Sequence, residues 1–305
     1  MRRNVIVLAM KRGYGIGDAV MCTPLFKAIK GKYPGSRTLL FFRYDTHGAP
    51  LARNPYIDAG IRVRGPVWRL LLGLGLRLFR PVVYRLEMYH SPVSLLDRKN
   101  VKDVIGSIFD IEIRDPEPEL FVTSEEDKSA RRRLEEVSDG KAVVLVQAIS
   151  RASRNHLWPH ERWGELVRSC PNYSFVQIGR TDEPFVPGCV DFRGKTSLRA
   201  LFAIAKHSTA FVGLDASLSH IAYGVKLPGV VLYGTTDPSY VGHSTNINIY
   251  KNVACAPCYY MNHGKVDCPY GHECMDLITV DEVKMALDLQ VSKRTSAPGS
   301  PSRLS

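Results

Sequence analysis

Short apolar runs recur along the chain, and most lead into a turn rich in Gly, Ser or Asp and then a stretch with helical spacing. In the first half, residues 5–10, 38–42 and 81–86 predict buried strands. The segment from Pro24 to Tyr33 predicts a helix that opens on Thr23-Pro24, because proline at the first helical position gives up an N–H that has no partner there. Strand, helix and strand make a βαβ unit. Residues 124–137 predict a charged helix starting from a Ser-Glu-Glu cap and leading out of the first domain. A second series follows, with strands at 142–147, 174–178, 209–212 and 230–233 and helices from about Glu161 and Leu198. Val280, Val283, Ala286 and Leu287 give 279–291 helical spacing. Strand and helix alternate twice, which predicts two Rossmann-like α/β domains facing across a cleft. The expected domains are 1–138 and 139–291, followed by a disordered tail, 292–305, with no large apolar residue before Leu304.

Composition narrows the classes. At 305 residues and 45% hydrophobic content the chain can bury two cores, and a formal net charge of +11 favours an acidic partner. The apolar run at 5–10 is too short for a secretory signal and continues into a glycine loop, so a cytoplasmic location is expected. Seven cysteines, an odd number, fit a reducing compartment better than a disulfide scaffold.

One stretch departs from globular patterning. Between Arg62 and Arg85, Arg64, Arg69, Arg77 and Arg80 are interleaved with Trp68, Phe79 and a leucine run. It is too short and interrupted to span a bilayer, but such a mixture can lie in the interface and attract anionic lipid. The alternative is a core helix with a solvated arginine face.

Candidate chemistry begins at Phe211-Val-Gly-Leu-Asp-Ala-Ser-Leu-Ser-His220. The apolar run ends at Gly213, and small residues after Asp215 let a helix start at once, leaving the N–H groups of Ala216, Ser217 and Leu218 for a phosphate, with His220 in the first turn. Asp215 is expected to order that loop. A second run ends in Gly234-Thr235-Thr-Asp-Pro238, so two strand ends deliver polar loops to one crevice. Asp182 and Glu183, after the strand ending at Ile178-Gly179, are candidates for a ribose or base contact. A solvated turn explains them as well. At the N-terminus, Gly13, Gly15 and Gly17 permit close approach of a substrate, and Asp18 is either a general base or a helix cap.

Set together, Lys11-Arg-Gly-Tyr-Gly-Ile-Gly-Asp18 with Thr23-Pro24 and Tyr33-Pro34, and Gly213-Leu-Asp-Ala-Ser-Leu-Ser-His220 with Tyr233-Gly-Thr-Thr-Asp-Pro238, resemble the heptosyltransferases of glycosyltransferase family 9. Trp158-Pro159, Glu161-Arg162-Trp163 and Asp191-Phe-Arg-Gly-Lys-Thr-Ser-Leu198 extend the resemblance over roughly 5–287. It implies the GT-B fold and an inverting transfer of heptose from ADP-heptose to a lipopolysaccharide core or related glycan. It implies no catalytic metal or cofactor and no nucleic acid partner. Asp18 becomes the base, and Asp215, Ala216, Ser217, Leu218, His220, Thr235, Asp182 and Glu183 the donor site. Gly15, Gly17, Arg69 and Arg77 fall to a lipid-linked or other glycan acceptor, with the enzyme peripheral on the inner face of the cytoplasmic membrane.

Two positions depart from the family pattern. Ala216-Ser217 stands where Ser or Thr then Gly is usual, and Arg154-Asn-His156 precedes Trp158-Pro159 where a Lys is common, so Arg151, Arg154 or His156 is expected to replace it. These departures keep a non-catalytic nucleotide- or glycan-binding module as an alternative. A nicotinamide-dependent oxidoreductase is a weaker one, since G-x-G-x-G is not the dinucleotide fingerprint. Cys255, Cys258, Cys268 and Cys274, in the loop 255–274, have the donor types of a structural zinc or iron site. Short cysteine-rich loops also occur without metal, and both alternatives stand.

Overall fold

The computed structural model describes residues 5–10, 15–63, 81–86, 100–151, 153–258 and 267–296. Among these, the strands form two wholly parallel sheets. The first contains β1 (Val5–Met10), β2 (Arg37–Phe42), β3 (Ala59–Arg62) and β4 (Val82–Leu86), in the order β3-β2-β1-β4. Helix Thr23–Lys32, with its proline in the first turn, crosses from β1 to β2 and buries Leu25, Phe26 and Ile29. Those side chains join Ile6, Leu8, Leu40 and Leu86 in one core.

The second sheet contains β5 (Ala142–Gln147), β6 (Tyr173–Gln177), β7 (Val190–Asp191), β8 (Ala210–Leu214), β9 (Gly229–Tyr233) and β10 (Asn246–Tyr250). Its order is β10-β9-β8-β5-β6-β7. Counted within the unit this is the 3-2-1-4-5-6 order of a Rossmann domain, and the order reverses between β5 and β8. Every residue of β8 and β9 is buried, as strands covered on both faces require. Helices His160–Ser169, Leu198–His207 and Val280–Ser296 supply apolar faces to this layer. The chain thus has two Rossmann-like α/β units.

Three boundaries differ from expectation. The compact units are Met1–Phe121 and Val122–Ser305, so the charged helix Ser124–Ser138 opens the second unit and does not close the first. Its partners explain this: Glu126 pairs with Arg199 at 2.5 Å, and Asp127 accepts from Lys206 and His207 at 2.8 Å. The cap of that helix is Thr123, in a reciprocal box with Glu126, and not Ser124. Helix Val280–Ser296 also runs into the segment expected to be disordered. There Arg294 reaches the Lys226 carbonyl, and the Thr295 and Ser296 hydroxyls return to carbonyls of the preceding turn.

The motif Trp158-Pro159…Trp163 serves as a clasp. Trp158 Nε1 donates to the Ile278 carbonyl at 3.0 Å, Arg162 donates to the carbonyls of Asp276 and Ile278, and the two indoles meet edge to face at 4.9 Å. Helix His160–Ser169 is thereby fastened to the chain that follows the cysteine-rich loop.

Candidate functional site

β5 and β8 pair in parallel, so at this switch point their C-terminal ends lie side by side, the place where doubly wound sheets bind their ligands. β8 ends at Leu214, the chain bends through Asp215 to Ala216, which is extended, and helix Ser217–Gly224 begins. Ala216 occupies the cap position and has no side-chain oxygen to offer. Gln147, the last residue of β5, takes over part of that role: its Oε1 accepts from Leu218 N–H at 2.9 Å and its Nε2 lies 3.4 Å from Ser217 Oγ. The amides of Ala216 and Ser217 precede the first helical hydrogen bond and so lack a helical acceptor. Of the three amides expected to meet a phosphate, Leu218's is therefore engaged by the protein itself.

The loop is held from both sides. Ser150 Oγ donates to the Asp215 carbonyl at 3.1 Å and Ser219 Oγ to the Ala216 carbonyl at 2.8 Å. Gly213 admits β5 closely, since a Cβ there would sit 3.2 Å from the Gln147 carbonyl oxygen. His220 is 7% exposed, and its Nδ1 lies 2.9 Å from Nε2 of the fully buried His243. Burial pushes the His220 pKa down, with Asp215 acting in the opposite direction. At the end of β9, Thr235 is buried with a hydroxyl that has no partner among the described residues. Its carbonyl accepts Cys258 N–H at 3.0 Å.

After β5, Arg154 and His156 lie in a single 3-10 turn. The Arg154 guanidinium pairs with Asp267 at 2.6 Å, while His156 is 4% exposed and neither ring nitrogen has a partner among the described residues. Arg151 joins the candidate carboxylates, 2.9 Å from Asp182 and 3.6 Å from Glu183. Desolvation pushes the Glu183 carboxyl up in spite of that arginine. Asp182 is held down by Arg180 and Arg151.

In the first unit Asp18 lies inside a helix, Ile16–Met21, that was not anticipated. Its Oδ2 accepts Gly15 N–H at 2.5 Å, so this carboxylate does cap the helix. Gly17 lies within the same helix. Arg69 and Arg77 fall outside the described residues, as does most of the basic segment.

The four cysteines come into mutual electrostatic range. Burial and then the neighbouring Cys258, Cys255 and Cys268 push the Cys274 thiol up to about 11, and Cys258 is raised by burial and then by Cys255 and Cys268. Repulsion of that kind is what a bound cation relieves, and the donor set suits zinc or iron. Among the described residues, however, no three His, Cys, Asp or Glu groups close on one point with ligating geometry. The loop also braces the candidate site, since a Cβ at Gly234 would meet Met275 Sδ at 2.6 Å and Cys274 Sγ at 3.2 Å. If metal completes the knuckle, protein purified without chelators carries about one zinc or iron per chain by elemental analysis, and Cys258→Ser lowers the melting temperature. Protein free of both metals rejects the site.

Sequence reasoning missed Gln147, His243 and the Asn155 Oδ1 to His272 Nε2 contact at 2.9 Å. A polar residue closing the apolar run of β5 was the one available signal.

A family model described as glycosyltransferase family 9 (heptosyltransferase) matches residues 98–265. Lipooligosaccharide heptosyltransferase 2 of Haemophilus influenzae is 33% identical over 98 residues, which cover 27% of this chain and only 28% of that relative. The solved structure of the ADP-heptose heptosyltransferase II of E. coli is similar with a TM-score of 0.70 at 17% identity, covering 95% of this chain and 99% of that one. TibC of enterotoxigenic E. coli, described as an iron-containing dodecameric glycosyltransferase, gives 0.69 at 18% identity, covering 96% of this chain and 77% of that one. At these identities the structural likeness establishes the fold.

Proposed function

The chain belongs to glycosyltransferase family 9, the heptosyltransferase family, and from that premise we propose that it transfers heptose from ADP-heptose, with inversion, to a lipopolysaccharide core or related glycan. The observation that carries this reading is the meeting, at the β5–β8 switch point, of His220 and the end of β5 with a helix start whose Ala216 cap offers no side-chain acceptor. A helix start of this kind favours negative charge. In the proposed reaction Asp18 takes the proton of the acceptor hydroxyl as that oxygen bonds the anomeric carbon. The bond to ADP breaks on the opposite face, and its electron pair leaves on the β-phosphate. The amides of Ala216 and Ser217, with His220, meet the developing charge. Thr235, Arg154 and His156 are assigned to the same donor, and Asp182 and Glu183 to its ribose or base. Gly15 and Gly17 are assigned to the acceptor.

Calorimetry with ADP-, GDP-, UDP- and dTDP-sugars and with NAD tests the donor class. The expected result is binding of the ADP conjugate alone, weakened about tenfold by His220→Ala, as for loss of one hydrogen bond to a charged group. Preference for another nucleotide, or an unchanged affinity in the variant, counts against this placement. Tight donor binding without turnover on any glycan acceptor would favour a binding module.

The net charge of +11 supports an acidic partner, and no helix among the described residues is long and apolar enough to cross a membrane. We place the enzyme on the inner face of the cytoplasmic membrane, drawn there in part by Arg69 and Arg77. Each arginine near an anionic surface contributes about 1 kcal/mol. Changing Arg69, Arg77 and Arg80 to Gln is therefore expected to weaken binding to anionic liposomes by roughly a hundredfold, and added salt to weaken the parent. Equal sedimentation of parent and variant removes the segment from membrane attachment.

A further inference from the structure

We infer that His243 is a positioning residue for His220, holding its imidazole in the tautomer that carries the proton on Nε2. The inference rests on the donor-site reading above. His220 Nδ1 and His243 Nε2 are 2.9 Å apart with the rings nearly perpendicular, at 84°. Two lone pairs at that separation repel and two protons collide, so a single proton lies between the nitrogens.

His243 is fixed more firmly than its loop position suggests. Its ring lies parallel to that of Tyr223, at 9° and 4.1 Å between centroids, and neither residue is more than 1% exposed. Tyr223 is on the same helix as His220, one turn further on. The loop itself is tied down where Asn246 N–H and Asn248 Nδ2 both donate to the His243 carbonyl. The stack therefore sets where His243 Nε2 lies, and that nitrogen in turn sets the His220 ring.

The direction of the shared proton follows from what the other face of His220 must do. Burial favours the neutral ring, which has one donor and one acceptor nitrogen. Diphosphate oxygens accept hydrogen bonds, so a ring that contacts them must present Nε2–H and keep Nδ1 as the acceptor. His243 Nε2–H then donates to His220 Nδ1. With the proton shared the other way, His220 would turn a lone pair toward an anion.

Long-range proton–nitrogen NMR on the full-length protein labelled with ¹⁵N-histidine tests this, combined with calorimetry of ADP. In the parent, His220 is expected to show a protonated Nε2 and a bare Nδ1. His243→Phe keeps a ring against Tyr223 but removes the donor, and is expected to release the tautomer and weaken ADP about tenfold. His243→Gln retains an amide donor and is expected to restore both to within roughly threefold. A proton on Nδ1 in the parent, which needs no variant, overturns the inference, as does unchanged ADP affinity in His243→Phe. A parent that binds no ADP overturns the donor reading itself, and the pair loses the purpose assigned to it.

Discussion

Replacing Asp18 by Asn is expected to lower turnover by roughly 10²- to 10⁴-fold, the range for loss of a general base, with ADP affinity and melting temperature nearly unchanged. The substitution separates the cap that the structure shows from the general-base role proposed for the same carboxylate. Asp18 caps its helix by accepting Gly15 N–H, and an Asn carbonyl oxygen can accept that same bond. What Asn cannot do is take the acceptor's proton. Steady-state rates at saturating donor, beside a thermal melt, distinguish the two: parental turnover in the variant would leave Asp18 a cap and nothing more.

The second large effect is expected on stability. Trp163 is 1% exposed, at the centre of the second core, and meets Trp158 edge to face. Trp163→Ala removes the indole and leaves a cavity, with an expected loss of about 3–5 kcal/mol. Trp163→Phe should lose much less, because the ring is largely replaced and the indole N–H has no partner among the described residues. Denaturant unfolding of both variants measures this. Equal small losses would show that the site relaxes around the deletion and that Trp163 is not the keystone of the clasp.

The parts of the fold legible in the sequence were those with strong local signals. The central strands carried continuous apolar runs, and Thr23-Pro24 marked a helix start within the structure's own bounds. The two-unit α/β architecture followed from their alternation. Strand β10 gives no apolar run to read, because Asn-Ile-Asn-Ile-Tyr is half polar, as suits an edge strand with one neighbour. Helix Ser124–Ser138 is legible as a helix, but the unit it joins is not. Its allegiance depends on Arg199, Lys206 and His207, all more than 70 positions away. Only the start of the expected tail, 292–296, is helical, and 297–305 lie outside the described residues; a Ser-, Lys- and Arg-rich end reads as solvated, whereas a helix already nucleated on Val283, Leu287 and Val291 extends cheaply by another turn.

The candidate site was legible in the same uneven way. Asp215, Ala216, Ser217 and His220 announced themselves through the strand, turn and small-residue order, and the structure does place them at the switch point. That Leu218 N–H is already engaged could not be read, because Gln147 is a β5 residue 71 positions earlier. His243 carried no signal at all. It sits in a loop between Val241 and Asn246, and only the tertiary fold stacks it on Tyr223 and against His220.

The central claim is that a nucleoside diphosphate binds across the start of helix Ser217–Gly224, and a crystal structure with ADP bound tests it most directly. The account predicts diphosphate oxygens about 3 Å from the N–H groups of Ala216 and Ser217 and from His220 Nε2, with the adenosine extending toward Asp182 and Glu183. ADP bound with its diphosphate at the glycine loop after β1, or anywhere away from the end of β8, would contradict it.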